Sequence, residues 1–318
     1  MTDDARQPVT RLAPSPTGAL HLGNARTFLV NWAIARQLGW KVVLRIEDLD
    51  GPRVKPGVIE QTIDTLAWLG LDWHDGPAVQ SGDIEPYAEA MRTLAAKGLV
   101  YPCDLSRKQI ADAANAPQEG ASESRFPASL RPAEVPGSFD EPERSWRLMV
   151  EPGAVGFDDV VMGPQSLDPS ETVGDFVVWT NRGQPSYQLA VVVDDHRQRV
   201  TEVVRGNDLL DSTARQLRLI RSLGIAPEPR YTHLPLVRGA DGRRLAKRHG
   251  DTRLTHYREC GVPAERVIGL IAAWSGVRTA DGDREPISAA VFGERFRLDT
   301  MAREDTIFTA EDDRWLRA

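Results

Sequence analysis

The strongest constraint on the fold lies near the N-terminus, where an apolar segment, a loop and a helical pattern follow one another. Residues 9–13 predict a strand, residues 14–18 (PSPTG) a loop and residues 24–38 a helix. The run KVVLRI at residues 41–46 then predicts a second, buried strand that ends in an acidic cluster beginning at Glu47. This order is typical of a nucleotide-binding α/β unit, in which ligands bind beyond the C-terminal ends of the strands.

The rest of the chain predicts further helices and strands around one irregular segment. Residues 104–144 are rich in proline, serine, alanine and glutamate and lack a regular period, which indicates an insertion or lid. The predicted helices span residues 58–69, 87–97, 211–223 and 262–274, and the predicted strands span residues 145–150, 173–180, 189–193 and 202–205. From residue 254 onward the pattern predicts a small helical unit. A chain of 318 residues is long enough for two or three packed units.

The composition limits the classes of function. The formal net charge is -7, whereas a surface that binds phosphates everywhere is strongly basic, so any RNA site must be a local patch. The two cysteines, Cys103 and Cys260, offer neither a disulfide framework nor a four-thiolate metal site. No stretch has the roughly 18 apolar residues of a membrane span, and the N-terminus has no apolar signal segment. We therefore expect a cytoplasmic protein without membrane contact, and a monomer because no heptad pattern is evident.

The first candidate site is the segment RLAPSPTGALHLG at residues 11–23. It places a cation, two hydroxyls, glycines and a histidine where a strand gives way to a helix. Helix N-termini present unpaired N–H groups to phosphate, and glycine allows close approach. His21 is placed to donate a hydrogen bond to a phosphate oxygen. Taken alone, the segment is explained equally well as a proline-braced connecting loop with a surface histidine.

The second candidate site is the basic segment GRRLAKRHG at residues 242–250, which carries four cations and a histidine. Mobile Lys or Arg groups stabilise the charge that builds up on phosphate oxygens during attack at phosphorus. In isolation, an ordinary solvated basic loop explains the segment equally well.

Together the two segments resemble the paired ATP motifs of class I aminoacyl-tRNA synthetases, the HIGH element and the KMSKS element. Here they read HLGN at residues 21–24 and RLAKR at residues 244–248. The stretches RLAPSPTG, RIEDLD, SYQLAVVVDDH and VVRGNDLL are similar to the glutamyl branch of that class. The resemblance extends over about residues 9–275 and implies an α/β fold, namely a Rossmann-type catalytic domain with an inserted subdomain and a C-terminal helical unit.

The resemblance also implies the domain organisation. The first half of the α/β domain is expected at residues 1–103 and an inserted acceptor-like subdomain at residues 104–188. The second half is expected at residues 189–242, followed by the KMSKS-like loop and helical unit at residues 243–318. No anticodon-binding domain is expected.

Two groups of site residues follow from the same resemblance. The glutamate pocket is expected to contain Arg11, Ala13, Ser15, Glu47, Tyr187 and Arg205. ATP is expected to bind His21, Gly23, Asn24 and Lys247, and catalysis is expected to depend on His21, Asn24 and Lys247. Arginine suits a carboxylate because its planar fork can donate two hydrogen bonds. Structural alternatives stay open: Glu47 pairs with Arg45 or Arg53 or caps a helix. For Tyr187 and Arg205, a purely structural role likewise stays open as the alternative.

The implied reaction is attack by the α-carboxylate of L-glutamate on the α-phosphate of ATP, followed by transfer of the glutamyl group to a hydroxyl of RNA. Such a reaction depends on positioning and charge stabilisation, with Mg²⁺ on the phosphates, and needs no protein nucleophile. Lys247 matches the second lysine of the motif, whereas Arg244 replaces the first lysine and Ala246 replaces the serine.

Two features favour a truncated paralogous family, the glutamyl-queuosine tRNA(Asp) synthetases. The chain stops at Ala318, where a glutamyl-tRNA synthetase is expected to continue into an anticodon-reading domain. Val191 stands where those synthetases are expected to have asparagine. The resemblance implies transfer of glutamate to queuosine at the wobble position of tRNA(Asp). A synthetase that charges a tRNA 3′ end and a noncatalytic RNA-binding relic of the fold stay open as alternatives.

One feature of that family is missing. Its members often carry a zinc site in the insertion, built from a C-x-C pair, a tyrosine and a later cysteine. Only Cys103 is present here, in the stretch YPCDLS at residues 101–106, and structural zinc needs four strong ligands. We therefore predict that the protein holds no zinc and that Cys103 is a buried thiol.

Overall fold

The computed structural model describes residues 7–113, 125–243, 245, 251–277 and 284–318. In chain order the strands are β1 Val9–Leu12, β2 Lys41–Ile46, β3 Asp75–Val79, β4 Val100–Pro102, β5 Trp146–Leu148, β6 Val155–Asp159, β7 Gly163–Leu167, β8 Phe176–Thr180, β9 Gln184–Pro185, β10 Glu202–Gly206, β11 Arg230–Leu234, β12 Val237–Arg238 and β13 Thr306–Ile307. The helices are α1 Leu22–Leu38, α2 Val58–Trp68, α3 Glu85–Ala96, α4 Arg107–Ala113, α5 Pro169–Thr172, α6 Tyr187–Arg197, α7 Leu210–Leu223, α8 Leu254–Glu259, α9 Ala264–Trp274, α10 Ala289–Arg295 and α11 Ala310–Arg317.

The central parallel strands end at a common edge. β1 pairs with β2 and β2 pairs with β3, with Val9 opposite Lys41 in the register. On its other side β1 runs beside β10, because the Thr201 amide donates to the Val9 carbonyl oxygen over 2.9 Å. β10 in turn pairs in parallel with β11. The order β3-β2-β1-β10-β11 is a doubly wound α/β arrangement that changes direction between β1 and β10, and ligands bind at such a switch point.

A second, antiparallel sheet combines β4, which lies just before the region predicted as an insertion, with three strands from within that region. Its strands pair in the order β4-β5-β8-β9. Phe139 packs edge-on against Trp146 and Trp179, with ring centroids 5.1 Å apart in each pair. β6 and β7, from the same stretch of chain, instead extend the central strands, because β6 pairs with β11. The chain therefore crosses between the two sheets within residues 104–188, and the domain boundaries stay a prediction.

The C-terminal helices close the core on the side of α1. α1, α9 and α10 share one apolar cluster. Gly269 of α9 permits a close approach of the chain, since an added Cβ would lie 2.1 Å from the Glu285 carbonyl oxygen. β13 pairs in parallel with β12, which follows the central strand β11. These contacts hold the helical unit against the central strands.

One predicted strand is wrong. Residues 189–193 lie inside α6, which begins after Ser186, whose Oγ accepts a hydrogen bond from the Leu189 amide over 3.5 Å. This part of the helix is buried on every side, so its apolar run carries no helical period that would distinguish it from a strand. Asp194 and Asp195 consequently stand on the last turns of a helix instead of following a strand.

The other predicted elements are confirmed, all with shifted ends except the strand at residues 41–46. They are the helices at residues 24–38, 58–69, 87–97, 211–223 and 262–274 and the strands at residues 9–13, 41–46, 145–150, 173–180 and 202–205. The sequence does not predict β3 (DGPAV) or β7 (GPQSL), because glycine and proline disfavour strands. Within the described ranges, no helix combines the length and apolar character needed to cross a membrane.

Candidate functional site

A buried cluster of charged side chains lies where β1, β2 and α6 meet. Arg45 of β2 donates from Nη1 to Asp195 Oδ1 over 2.8 Å. Arg11 of β1 places its Nε 3.4 Å from the same carboxylate oxygen. The neighbouring carboxylate, Asp194, accepts a hydrogen bond from the Tyr87 hydroxyl over 2.8 Å. The cluster therefore fixes α6 against the ends of two parallel strands.

Glu47 is the first residue after β2 and lies beside Arg45. Its Oε1 accepts hydrogen bonds from Arg45 Nε over 3.3 Å and from Nη2 over 3.1 Å, so the pairing considered as an alternative is present. The Glu47 amide donates to the Pro14 carbonyl oxygen over 3.0 Å, which fixes the carboxylate beside the loop that contains Ser15. Burial raises the pKa of Glu47, although Arg45 and Arg11 act to lower it. Among the described residues no group donates to Oε2, so one carboxylate oxygen can accept from a ligand.

A cavity of about 830 Å³ opens between the central strands and the antiparallel sheet. Ser15, Glu47 and Tyr187 line the wall on the central side. Tyr187 begins α6 and is 40% exposed. The polar residues on the opposite wall are Arg147, Asp175, Thr180, Arg182 and Gln184. A volume of this size encloses a drug-sized ligand, so the cavity is larger than a single amino acid requires.

Arg205, near the end of β10, is 5% exposed and does not line this cavity. Its Nε donates to His233 Nε2 over 3.0 Å and its Nη1 to Gln216 Oε1 over 2.8 Å. Its Nη2 donates to Thr213 Oγ1 over 2.7 Å and to the Leu209 carbonyl oxygen over 3.3 Å. All four acceptors are neutral, and within the described part of the chain Arg205 has no carboxylate partner. Most N–H groups of the guanidinium, which the sequence suggested would bind a carboxylate, therefore donate to groups inside the protein. One Nη1 hydrogen and the full positive charge stay available to a ligand.

Arg11 is near enough to Arg205 for the charge of Arg205 to affect its pKa. It is 5% exposed, and burial lowers its pKa, which Asp195 opposes and the positive charges of Arg45 and Arg205 reinforce. Its Nη1 donates to the Val204 carbonyl oxygen over 3.1 Å, whereas its buried Nε makes no hydrogen bond with any described residue. Arg11 is therefore a second buried cation whose hydrogen-bonding capacity is not filled.

The structure gathers the residues expected to bind glutamate. The charges that act on the Tyr187 hydroxyl include those of Arg205, Glu47 and Arg11. Ala13 is half-buried on the segment that joins Arg11 to the loop at the cavity. The gathered residues are Arg11, Ala13, Ser15, Glu47, Tyr187 and Arg205. Their role in binding glutamate stays a prediction.

His21 caps the N-terminus of α1. Its Nδ1 accepts hydrogen bonds from the Gly23 amide over 3.1 Å and the Asn24 amide over 3.3 Å, and Asn24 Oδ1 accepts from the His21 amide. The Leu22 amide donates to the Thr252 carbonyl oxygen over 3.1 Å. The expectation of unpaired N–H groups at this helix start is therefore wrong, because the first amides are bonded inside the protein. Since Nδ1 accepts, the ring hydrogen lies on Nε2, which makes His21 a hydrogen-bond donor at that atom.

Gly23 makes room for the capping histidine. An added Cβ at this position would lie 3.0 Å from His21 Cε1 and 3.1 Å from Nδ1. A side chain there would displace the imidazole. The glycine of this motif therefore serves the orientation of His21, whereas the sequence suggested close approach of a phosphate.

The segment that follows the basic loop returns to His21. His21 forms a β-bridge with Arg253, and the Leu254 amide donates to the Leu20 carbonyl oxygen over 2.8 Å. Lys247, expected to bind ATP, lies outside the described residues. The described flank of the basic loop thus lies against the HLGN segment.

Several residues that shape the site are not evident from the sequence. Asp195 follows a run that predicts a strand but lies inside α6, so its pairing with Arg45 cannot be inferred. His233 and Asp159 lie on β11 and β6, where neither belongs to a recognisable pattern. The acidic pair at residues 194–195 is the only local signal for this part of the site.

The environment of Cys103 is apolar. Cys103 is buried with Tyr101 and Phe126 in a small cluster. The Tyr101 hydroxyl donates to Asp175 Oδ2 over 2.7 Å, and Arg131 donates to both oxygens of that carboxylate. No group of three or more His, Cys, Asp or Glu side chains among the described residues is placed to hold a metal ion. The loss of zinc stays a prediction.

Comparison with known proteins bears on both the fold and the site. Residues 7–312 match the family described as tRNA synthetases class I (E and Q), catalytic domain. The chain is similar to the glutamyl-Q tRNA(Asp) synthetase of Rhodopirellula baltica, with 46% identity over 283 residues that cover 85% of each protein. It is 44% identical to that of Symbiobacterium thermophilum over 314 residues, which cover 95% of this chain and 96% of the relative.

Glutamate–tRNA ligases are also similar. The enzyme of Nitrosomonas europaea is 39% identical over 318 residues, which cover 96% of this chain and 65% of the ligase. The glutamate-tRNA synthetase structure from Elizabethkingia anophelis superposes with a TM-score of 0.79 at 26% identity, over 98% of this chain and 70% of that one. These matches confirm the predicted α/β fold. The chain belongs to the class I tRNA synthetases (E and Q).

Proposed function

We propose that the protein activates L-glutamate with ATP as glutamyl-adenylate and transfers the glutamyl group to queuosine at the wobble position of tRNA(Asp). The observation that carries the proposal is the charge pattern beside the cavity. Glu47 presents an open carboxylate oxygen, and Arg205 is a buried cation without a carboxylate partner among the described residues. The charges of Glu47 and Arg205 both affect the pKa of the Tyr187 hydroxyl. An acidic amino acid, with one ammonium group and two carboxylates, complements this pattern.

Each charged group of glutamate has a complementary group on the protein in this proposal. Glu47 Oε2 accepts from the α-ammonium group, and the Nη1 hydrogen of Arg205 is donated to a carboxylate. Arg11, which is buried and incompletely hydrogen-bonded, binds the second carboxylate. Each charge-assisted hydrogen bond contributes about 1.5–3 kcal/mol. An unpaired buried charge is costly in the free protein, so an entering anion relieves that cost.

ATP binds on the side of His21. The Nε2 hydrogen of His21 donates to a phosphate oxygen, since Nδ1 is occupied by the start of α1. The side-chain Nδ2 of Asn24 donates beside it, because its Oδ1 accepts from the His21 amide. Lys247 supplies a cation from the basic loop, whose described flank lies against His21. Mg²⁺ accompanies ATP on its phosphates and offsets their charge.

The reaction proceeds by two displacements. A carboxylate oxygen of glutamate attacks the α-phosphorus, a new P–O bond forms, and the bond to pyrophosphate breaks. A hydroxyl oxygen of the acceptor then attacks the carbonyl carbon of the adenylate, AMP leaves, and the hydroxyl proton passes to the released phosphate. The protein contributes by positioning the reactants and stabilising charge.

The acceptor enters from the wall formed by the antiparallel sheet. Arg147, Thr180 and Arg182 give that wall hydrogen-bonding groups that suit a nucleoside. The relatives named glutamyl-Q tRNA(Asp) synthetase share 42–46% identity with this chain, whereas the ligase of Nitrosomonas europaea shares 39%. These identities support queuosine in tRNA(Asp) as the acceptor.

The proposal is tested in two stages. Exchange of pyrophosphate into ATP is first measured with and without glutamate and in the absence of tRNA, and we expect glutamate-dependent exchange. Labelled glutamate and ATP are then incubated with tRNA(Asp) that contains or lacks queuosine, and the label is mapped by nuclease digestion. We expect label on the wobble nucleotide of the queuosine-containing tRNA alone.

Two other outcomes would replace the proposal. Exchange and labelling are also measured with tRNA(Glu), and label at the 3′ end of that tRNA would identify a glutamate–tRNA ligase, the alternative favoured by the 39% identity to such an enzyme. Absence of exchange with either tRNA present would indicate a noncatalytic relic of the fold.

A further inference from the structure

A chain of hydrogen bonds runs behind Arg205 and ends on a buried carboxylate. His233 Nε2 accepts from Arg205 Nε over 3.0 Å, and His233 Nδ1 lies 2.6 Å from Asp159 Oδ2. His233 is 0% exposed and Asp159 is 4% exposed. Neither residue lines the cavity, and both connect to the guanidinium of Arg205 through the imidazole, so they are placed to affect a ligand through Arg205.

Adjacent strands hold these three residues in register. Arg205 and His233 are paired across the parallel strands β10 and β11, and Asp159 ends β6, which pairs with β11. Asp159 also accepts from the amides of Val161, Met162 and His233 over 3.0, 2.8 and 3.0 Å. The backbone therefore fixes the carboxylate, and the carboxylate orients the imidazole.

The hydrogen bonds determine which nitrogen of His233 carries hydrogen. Nδ1–H donates to Asp159, which leaves the Nε2 lone pair to accept from Arg205. Burial lowers the pKa of His233, Asp159 opposes this, and the charges of Arg205 and Arg11 lower the pKa further. The imidazole is therefore neutral at physiological pH, and a proton on Nε2 would face the Arg205 Nε–H.

A neutral acceptor at this position leaves the charge of Arg205 available. His233, Gln216 and Thr213 orient the guanidinium without contributing a negative charge. A carboxylate in place of His233 would also bind Arg205 Nε, but it would form an ion pair with it. Histidine therefore orients the guanidinium of Arg205 without neutralising its positive charge.

We propose that Asp159 and His233 are positioning residues, which fix Arg205 through a neutral imidazole and thereby keep its charge for a carboxylate of the substrate. This inference rests on the proposed function and adds a determinant of specificity to it. A carboxylate of the ligand completes the pairing of Arg205, whereas the side-chain amide of glutamine does not. The pair therefore favours an acidic over a neutral amino acid.

The environment of His233 also predicts a pH dependence. The charged or titratable groups that face it are Asp159 from β6, Arg205 from β10, Tyr231 from β11 with its ring stacked at 6.1 Å, and Arg11 from β1. Asp159 alone favours protonation, and the two arginines oppose it. Protonation of His233 at low pH would repel Arg205, so we expect the KM for glutamate to rise as pH falls.

The first test is Asp159→Asn. The amide can donate to Nδ1, which favours the tautomer with hydrogen on Nε2, directed at Arg205 Nε–H. We expect the KM for glutamate in ATP–pyrophosphate exchange to rise roughly 10- to 100-fold, as for other residues that orient a binding group. The KM for ATP should change less than about twofold, because no contact of His21 is altered.

Two substitutions of His233 separate positioning from folding. His233→Gln places a neutral acceptor near the original position of Nε2. This single variant should therefore keep most of the glutamate affinity that Asp159→Asn loses. His233→Glu supplies a charged acceptor, so it should keep the protein folded yet abolish the preference for glutamate over glutamine. A purely structural role for His233 predicts instead that Gln and Glu differ only in stability.

Glu202→Gln is the matched control, because Glu202 is a buried acid on β10 that pairs with Arg230 rather than Arg205. Its KM for glutamate should equal that of the parent. Suppose that the parent shows glutamate-dependent exchange. If both Asp159→Asn and His233→Glu then have the parent's KM for glutamate, the inference fails while the proposed function stands. If the parent shows no exchange, glutamate binding is measured by calorimetry on the same variants, and a parent that does not bind glutamate overturns both.

Discussion

Arg45 in β2 and Arg205 in β10 are both buried near the ends of parallel strands, yet their partners differ in charge. Arg45 donates to Asp195 and Glu47 and lies 4.0 Å from Asp194. Arg205 donates only to neutral acceptors. Burial acts to lower the pKa of Arg45, but these carboxylates outweigh it and raise the pKa above its ordinary value.

The difference is the one that the proposed function requires between a structural arginine and one that binds a ligand. Arg45 joins β2 to α6 and orients Glu47, and its charge is already balanced. Arg205 has a fixed orientation and an unbalanced charge, which is the state expected of a group that awaits an anion. The local pattern makes the two residues equivalent, since each is an arginine near the end of a predicted strand, and only the family resemblance singles out Arg205.

The largest expected effect is loss of stability on Arg45→Met. The substitution removes the buried cation that Asp195, Asp194 and Glu47 share, although Arg11 still lies beside Asp195 and Arg197 beside Asp194. Loss of one partner of a buried ion pair destabilises by about 3–5 kcal/mol. The free energy of unfolding, measured with urea, should fall by that amount.

Arg36→Met is the control for this measurement. Arg36 forms an exposed ion pair with Asp72, so its loss should cost less than about 1 kcal/mol. Equal effects of the two substitutions would remove the distinction between the buried cluster and an ordinary surface pair.

The next effect concerns ligand binding and is expected for Arg205→Met. Removing a charge-assisted hydrogen bond should raise the KM for glutamate by roughly 10- to 150-fold, equivalent to about 1.5–3 kcal/mol. The free energy of unfolding should change by less than about 2 kcal/mol, because an unpaired buried charge is removed together with its hydrogen bonds. Steady-state exchange kinetics and urea unfolding measure the two quantities.

A suitable control is Arg26→Met. Arg26, like Arg205, is buried and does not line the cavity, but it donates to Ser275 and to the carbonyl oxygens of Pro235 and Trp274, and the proposal gives it no contact with glutamate. Its loss should lower stability without a selective rise in the KM for glutamate. An Arg205 variant that behaved like the Arg26 variant would make Arg205 structural.

The fold could be predicted where one face of an element carries the signal. α2, α3, α7 and α9 have apolar residues at helical spacing because one side packs on the core. α6 could not be predicted, since its central part, residues 188–195, is buried on all sides and its three consecutive valines favour a strand by local propensity. Tertiary packing decided that element, and with it the position of Asp195.

The site could be predicted where its residues belong to a continuous motif. His21 and Glu47 are both found in this way, from a loop before a helix and from an acid after a strand. Pairings between distant strands could not be predicted: Arg45 and Asp195 are 150 positions apart, and His233 and Asp159 are 74 apart. The charge balance that distinguishes Arg205 depends on those pairings, so it becomes evident only in the folded chain.

The smallest expected effect is on the pH dependence of stability, where the two regions should have opposite signs. The pKa of His233 is lowered from 6.5, so its contribution to stability is present above about pH 6.5 and is lost as pH falls toward its folded pKa. The pKa of Glu47 is raised from 4.5, so its contribution is present below about pH 4.5 and is lost as pH rises toward its folded pKa. One proton accounts for at most about 1.4 kcal/mol per pH unit.

Urea unfolding of the parent, His233→Gln and Glu47→Gln between pH 4.5 and 7.5 isolates the two contributions. Relative to the parent, His233→Gln should become more stable by about 1 kcal/mol as pH falls from 6.5 to 5.5, because the variant has no imidazole to protonate on unfolding. Glu47→Gln should instead gain relative stability as pH rises from 4.5. Parallel curves for all three proteins would contradict the assignment of a neutral His233 beside Arg205. Curves of opposite slope would support a neutral His233, whose Nε2 lone pair accepts from Arg205 without supplying a negative charge.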